Sequence, residues 1–169
     1  TSDSIAVFGQ LRYELSDDLR LVGGLRYNKD EKSFTGDTIP DWDDSAVLWK
    51  AALEFDKNDD LMLYASAATG IRTGGANDSR VVSRGADPLY DNEEVMSYEI
   101  GMKSTLLDGD MRLNISAFIN EYDDVKAQLF AVACSDTTTT DTVLECVEAG
   151  ATQSFEYYEN GGGIDTKGI

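Results

Sequence analysis

Hydrophobic side chains recur at every second position over stretches of about eleven residues, and this period of two limits the fold more than any other feature. In residues 5–15, aliphatic and aromatic residues occupy most odd positions, while Gln10, Arg12 and Glu14 lie between them. The same alternation returns in residues 19–28, 47–55, 61–72, 96–106 and 111–120. Such a period is typical of β-strands that have one apolar and one polar face. The chain is therefore predicted to be all-β.

The connections between these stretches alternate strictly between short and long. The short ones are 16–18, 57–60 and 107–110, and the long polar ones are 29–45, 73–93 and 131–163. A soluble sandwich has no physical reason to sort its connections in this way, whereas outer-membrane barrels combine short periplasmic turns with long extracellular loops. A tilted strand of about eleven residues also covers the roughly 25 Å apolar band of such barrels. We therefore expect part of an antiparallel transmembrane β-barrel.

One face of the predicted strands carries mainly aliphatic side chains, which we expect to contact outer-membrane lipid. Representative positions are Leu11, Leu21, Leu53, Leu63, Ile100 and Leu113. The other face mixes charged, amide and small residues, as the wall of a water-filled lumen would. Tyr13, Phe55 and Tyr27 lie near strand ends, where aromatic girdles meet the membrane interfaces. A soluble sheet with one wet face is the alternative explanation of the same alternation.

Composition excludes several functions. The formal net charge of -18 argues against nucleic-acid binding, because phosphate would be repelled. The chain has no histidine, and its carboxylates fall mainly in turns and loops. It also contains neither a P-loop nor a dinucleotide-binding glycine motif. We therefore expect no enzyme activity, no cofactor and no resident metal.

Three segments resemble stretches common in TonB-dependent receptors of Gram-negative bacteria. Residues 6–27 are similar to a hairpin ending in G-x-R-Y, and residues 61–77 to a strand leaving the barrel through G-[YF]-[RK]-x-G-G-x-N. Residues 90–128 resemble the family's Y-x-P-E-x-x-x-x-Y-E-x-G-x-K strand, an Asp-Gly turn and the strand that follows. Departures from these patterns are Ile71 for an aromatic residue, Ala76 for phenylalanine and Asn92 for proline.

The resemblance implies a barrel of about 22 strands whose lumen is plugged. Residues 1–169 would supply six to seven strands, without counterparts of the plug, the TonB-binding segment or the closing strand, and so form an internal piece. It further implies an outer-membrane receptor that takes up a scarce nutrient such as a siderophore-bound metal, cobalamin or a saccharide. Its partners would be the TonB energy-transducing complex, acting through the plug, and a small extracellular ligand. A passive porin and a soluble β-sandwich adhesin or binding module are the alternatives.

Site residues are expected in two places on the polar face. Arg72, Asn77 and Arg80 lie where the fourth strand becomes a loop, and they are the candidates for contact with a ligand. Anchoring of the glycine-rich loop is the structural alternative for Arg72. Glu99 and Lys103 share one strand face, so we expect them to line the lumen as an ion pair or to contact the plug.

Two cysteines, Cys134 and Cys146, flank a stretch rich in Asp and Thr within the third long loop. Outside the cytoplasm, a bond between them is thermodynamically allowed and would stabilise the loop by about 3 kcal/mol in the chain-entropy model. We therefore expect a disulfide, with two independent thiols as the alternative.

Overall fold

The computed structural model describes residues 1–34, 39–82, 86–133 and 153–169. Its main feature is a seven-stranded antiparallel sheet. The strands of this sheet are β1 (Ser2–Glu14), β2 (Leu19–Lys32), β3 (Trp42–Asn58), β4 (Leu61–Arg72), β7 (Glu93–Leu106), β8 (Met111–Asp123) and β11 (Ile164–Gly168). They lie side by side in the order β1-β2-β3-β4-β7-β8-β11, with β1 and β11 at the open edges. In the part of the chain that is described, no helix is long and apolar enough to cross a membrane.

Short and longer connections alternate along the main sheet, as expected from the sequence, but β2 and β3 extend over residues 29–32 and 42–45, which the sequence had placed in a long connection. Residues 15–18, 59–60 and 107–110 make short turns at one end of the sheet, and the longer connections lie at the other end. The Asp-Gly turn contains Leu107, Asp108 and Gly109 with φ of 55°, 51° and 103°. This left-handed conformation favours glycine and is tolerated by aspartate, so the sequence signal and the turn agree at 108–109.

Two of the long connections hold more regular structure than their polar composition suggested. The connection from β4 to β7 contains β5 (Gly75–Ala76), the short helix α1 (Ser79–Val82) and β6 (Leu89–Tyr90). The connection from β8 to β11 contains a hairpin of β9 (Lys126–Ala133) and β10 (Gln153–Asn160). Residues 131–163, which the sequence placed in one long polar connection, thus include the end of β9 and the whole of β10. Cys134 and Cys146 lie outside the described residues.

The strand register places the aliphatic positions on one common face. Leu21 lies opposite Leu53, Leu53 opposite Ala65, and Ala65 opposite Ile100. No second layer covers this face in the described residues: Leu11 is 80% exposed and Ile100 is 64% exposed. An apolar face this large requires an apolar surrounding, since soluble monomers rarely expose contiguous patches of more than a few hundred Å². The sheet therefore has the organisation of a barrel wall rather than of one half of a soluble sandwich.

On the polar face near the short turns, ion pairs join three neighbouring strands. Arg20 of β2 donates from Nε to Glu54 of β3 at 3.3 Å and from Nη2 to Asp56 at 2.9 Å. Arg12 of β1 reaches the same Glu54 carboxylate at 3.3 Å. The Arg20 side chain is largely shielded, so its planar fork holds both carboxylates in a fixed geometry. These contacts tie β1, β2 and β3 together across the polar face.

Two aromatic rings on the polar face lie over glycines of the neighbouring strand. Tyr64 of β4 lies opposite Gly101 of β7, and Phe118 of β8 lies opposite Gly168 of β11. A Cβ atom added at Gly101 would approach Tyr64 Oη to 2.6 Å, and one added at Gly168 would approach Phe118 Cζ to 2.7 Å. Glycine is therefore required for the rings to lie flat on the wall.

We predict that Gly101→Ala displaces the Tyr64 ring and breaks its 2.6 Å hydrogen bond to Glu99. The complete protein should lose about 1 kcal/mol of stability relative to Gly24→Ala, measured as the free energy of urea unfolding in detergent. Gly24 is the matched control, because it also lies on the polar face of a strand and a Cβ there meets only ordinary contacts. Equal stability of the two variants would contradict the assignment.

Candidate functional site

The candidate site lies on the polar face where β4 ends and the chain turns over the top of the sheet. Residues 73–75 cross above Trp42, the first residue of β3, whose side chain is only 4% exposed. Lys32, the last residue of β2, lies opposite Trp42 in the register, with its Nζ 4.9 Å from the indole ring. The end of β4, the start of β3 and the end of β2 therefore converge on one short loop segment.

Two lysines hold the backbone of this segment. Lys32 Nζ donates to the Gly74 carbonyl and lies 3.3 Å from Thr73 Oγ1. Lys126 Nζ, from the first residue of β9, donates to the Thr73 carbonyl and to the Arg72 carbonyl at 3.2 Å. Burial lowers the pKa of Lys126, and the nearby cations Arg72 and Lys32 act in the same direction. Both ammonium groups are thus engaged by backbone oxygens.

The double glycine is required by the close approach of Tyr90. A Cβ atom at Gly74 would lie 2.3 Å from the Tyr90 carbonyl oxygen, and one at Gly75 would lie 2.8 Å from Tyr90 Oη. Asn92 completes the support, because its Oδ1 accepts the Gly74 amide at 2.8 Å and its Nδ2 donates to Asp44. A proline, usual at this place in the resembling pattern, has no side-chain amide and could make neither bond.

Asn77 is 3% exposed, and backbone groups surround its side-chain amide. Its Nδ2 donates to the Asp87 carbonyl at 2.9 Å and the Tyr158 carbonyl at 2.8 Å, while its Oδ1 accepts the Tyr158 amide at 2.7 Å. Every polar atom of the side chain is thereby used within the protein. Its contact with a ligand stays a prediction.

The two arginines of the predicted ligand set are more exposed. The Arg72 side chain is 71% exposed at the end of β4 and lies 3.9 Å from Glu93 at its nearest approach. Arg80 of α1 donates to both carboxylate oxygens of Asp78, at 2.8 Å and 3.0 Å. These bonds lower the pKa of Asp78 to about 2, so the pair stays ionised at physiological pH. The Arg72 side chain is slightly more exposed than that of Arg80.

Glu99 and Lys103 lie on the polar face, as expected from their spacing. No direct salt bridge joins them in the region that the structure covers. Instead, Tyr64 lies between them: its hydroxyl donates to Glu99 at 2.6 Å, and Lys103 Nζ lies 5.4 Å from its ring centre. This pair lies in the middle and lower wall, away from Arg72 and Asn77. The two sets of predicted site residues therefore lie at different heights of the wall.

Several residues that shape the upper site were not anticipated. They are Lys32, Trp42, Tyr90, Asn92, Lys126 and Asn160. Asn92 was noted only as a departure from the resembling pattern, and that departure was the available signal. The lysines act through strand pairings that no local pattern reveals. Among the described residues, no group of three or more Asp, Glu, His or Cys side chains is placed to hold a metal ion.

Comparison with known structures gives the same architecture. The ferric yersiniabactin uptake receptor FyuA from Yersinia pestis is 22% identical with a TM-score of 0.61, over 74% of this chain and 21% of that one. The alcaligin outer-membrane receptor FauA from Bordetella pertussis is 18% identical with a TM-score of 0.58, over 93% and 25%. The ferric preacinetobactin receptor BauA from Acinetobacter baumannii is 17% identical with a TM-score of 0.59, over 98% and 21%.

The chain thus spans about a quarter or less of the length of these receptors, and the similarity concerns the fold. A family model described as TonB-dependent receptor-like β-barrel matches residues 1–169, which is the whole chain. The open sheet, its two contrasting faces and its alternating turns agree with that match. The chain therefore belongs to the TonB-dependent receptors, β-barrel proteins of the Gram-negative outer membrane.

Proposed function

We propose that this chain is part of the wall of a receptor that actively imports a scarce nutrient across the outer membrane. The observation that carries the proposal is the family match over residues 1–169. In such a receptor a small ligand binds from outside, and the TonB complex acts through a plug region so that the cargo crosses the barrel. The mechanism follows from the family, and this segment contributes wall, lumen lining and extracellular loops.

The two faces of the sheet support this role. The aliphatic face would lie against outer-membrane lipid, where exposed Leu, Ile and Val side chains are favourable. The polar face would line the lumen, where the ion pairs around Arg20 and the Tyr64–Glu99 bond meet water or a plug. Glu99 and Lys103 are the proposed contacts to that plug, because both remain on the polar face with Tyr64 between them.

The upper site would contact the ligand. Arg72 is exposed at the mouth, 3.9 Å from Glu93, and Lys32 and Lys126 lie nearby, so three cations are close together in an otherwise strongly acidic chain. An exposed guanidinium at the mouth would favour contact with an anionic group of a ligand. Arg72 and Arg80 are the proposed direct contacts, with Asn77 beside them. Two of the similar structures are a ferric yersiniabactin uptake receptor and a ferric preacinetobactin receptor. A siderophore-bound metal, cobalamin or a saccharide would be the class of cargo here.

We predict that cysteines introduced at Leu53 and Ile100 react with lipid-soluble probes and resist aqueous ones in the complete receptor in vesicles. Cysteines at Lys50 and Ser97, which the register places on the polar face, should show the opposite preference. The experiment needs a background in which the native cysteines are replaced by serine. Equal aqueous labelling at all positions would contradict the lipid-facing assignment.

Deletion of the gene should slow growth only when one specific nutrient is scarce, and a plasmid copy should restore growth. Uptake of that nutrient, measured with a radiolabel, should also stop when TonB is inactivated. A passive porin would share the barrel wall but would continue to admit the nutrient without TonB. Uptake that is indifferent to TonB would therefore overturn the active-transport proposal.

Replacement of Arg72 by Met should weaken binding of an anionic nutrient by roughly tenfold, because a charge-assisted hydrogen bond at the mouth is lost. The measurement is titration calorimetry on the complete receptor in detergent, with the nutrient identified by the uptake screen. Arg12→Met is the matched control, since Arg12 lies on the same face near the short turns. Unchanged affinity for Arg72→Met would exclude this residue as a ligand contact.

A further inference from the structure

Two asparagine side chains join the loop between β4 and β7 to the β9–β10 hairpin, and both bond only to backbone atoms of the residue they contact. Asn77 accepts the Tyr158 amide at 2.7 Å and donates to the Tyr158 carbonyl at 2.8 Å. Asn160 accepts the Asp91 amide at 2.6 Å and donates to the Asp91 carbonyl at 3.1 Å. Each side-chain amide thus pairs with both the N–H and the carbonyl of one residue, as a neighbouring antiparallel strand would.

The edge of the hairpin explains why these bonds are needed. β10 pairs with β9 on one side only, with Tyr158 opposite Gln128 and Asn160 opposite Lys126. The amide and carbonyl of Tyr158 point away from β9 toward the loop, where Asn77 satisfies both. An unpaired strand edge is otherwise open to pairing with another chain. Asn77 therefore closes the free edge of β10 at the point where it meets the loop.

The regular ladder is interrupted at the base of the hairpin. The β8–β11 ladder ends at Tyr122–Ile164, and the β9–β10 ladder begins at Lys126–Asn160. Between them Asp124 and Gly162 both have positive φ, at 52° and 72°, so the chain bends there. Two backbone hydrogen bonds cross this bend, from the Val125 amide to the Gly162 carbonyl at 3.2 Å and from the Gly161 amide to the Val125 carbonyl at 3.1 Å. Contacts beyond the bend add to these bonds in fixing where the hairpin lies.

Further contacts lie between the two asparagine pairs. The rings of Tyr90 and Tyr158 have centres 5.5 Å apart, and Lys126 Nζ lies 5.3 Å from the Tyr90 ring centre. Asn160 also donates to the Asp124 carbonyl at 2.9 Å, which links the bend to the same group. On the loop side, the Asn77 backbone amide donates to the Pro88 carbonyl at 2.9 Å. The two asparagine pairs, with packed rings between them, therefore join the loop and the hairpin in addition to the bonds of Lys126 to the Thr73 and Arg72 carbonyls.

We propose that Asn77 and Asn160 form a clasp that makes residues 75–77 and 86–92 of the loop and the strands β9 and β10 a single body, so that these parts move together at the barrel mouth. The clasp acts on loop position and is separate from ligand contact by Arg72. The assignment of the chain as a receptor wall does not depend on the clasp, because it rests on the family match. Its defining property is that opening one contact opens the other.

Hydrogen exchange at two backbone amides tests this property in the complete receptor in detergent. Asn77→Ala removes the acceptor of the Tyr158 amide, and Asn160→Ala removes the acceptor of the Asp91 amide. If the loops are one body, each variant should speed exchange at both amides, by roughly fivefold for the loss of one contact. Mass spectrometry with fragmentation to single-residue resolution can follow Tyr158 and Asp91 separately.

If Asn77→Ala speeds exchange only at the Tyr158 amide, and Asn160→Ala only at the Asp91 amide, the two contacts are independent and the clasp is wrong. Unchanged exchange at both amides would overturn it as well. Asn58→Ala is the control: Asn58 also accepts a backbone amide, that of Asp60, but at the short-turn end of the sheet. Exchange within residues 47–53 of β3 reports whether the wall stays folded.

A second variant keeps the test decisive if Asn77→Ala disturbs folding of the wall. Asn77→Asp keeps an acceptor for the Tyr158 amide but loses both donors, and it places a negative charge against the Tyr158 and Asp87 carbonyls. A single body predicts faster exchange at the distant Asp91 amide in this variant also. Exchange at Asp91 equal to that of the unsubstituted receptor would contradict the proposal.

Discussion

Backbone hydrogen bonds pair β2 with β3 in continuous register from Leu19–Phe55 to Lys32–Trp42, and β7 with β8 from Glu94–Asp123 to Leu106–Met111. The rest of the structure depends on this continuity. Side chains alternate between faces, so a slip of one residue would turn every aliphatic side chain toward the polar side. In a membrane the same bonds satisfy the backbone where no water is present. An irregularity occurs only at Asp56/Asn58 among the β3–β4 pairs, beside a short turn.

Given that register, the polar face gains its own internal organisation. Arg20 can reach both Glu54 and Asp56 because alternate residues of β3 share its face. Tyr64 can bond Glu99 because glycine at 101 leaves room for its ring. Charged and polar side chains on this face thus satisfy one another's hydrogen bonds. Lys103, two residues beyond Gly101 on the same face of β7, places its Nζ over the Tyr64 ring.

The sequence predicted β1 to β4, β7 and β8 of the main sheet because each carries its own period-two pattern, which needs no knowledge of distant residues. No such pattern was assigned to the short strand β11. The outer-membrane location follows from the strand lengths and the alternating connections, and it is confirmed by the family match. The hairpin arm β10 was missed, because its three aromatic residues do not alternate regularly with polar ones and it lies within a long connection. The supports of the upper site were missed for another reason. Lys126 and Asn160 act on backbone groups many residues away, and such contacts leave no local signature.

Asn77 and Asn160 recognise peptide groups, and this has a consequence for how such a receptor can diverge. The identities of the side chains at 91 and 158 do not enter either bidentate pair. A substitution at 91 can therefore change the chemical character of the surface while both bidentate pairs are retained, whereas one at 158 would also remove the ring contact with Tyr90. The two asparagines then hold the loop and the hairpin together whatever side chain stands at position 91.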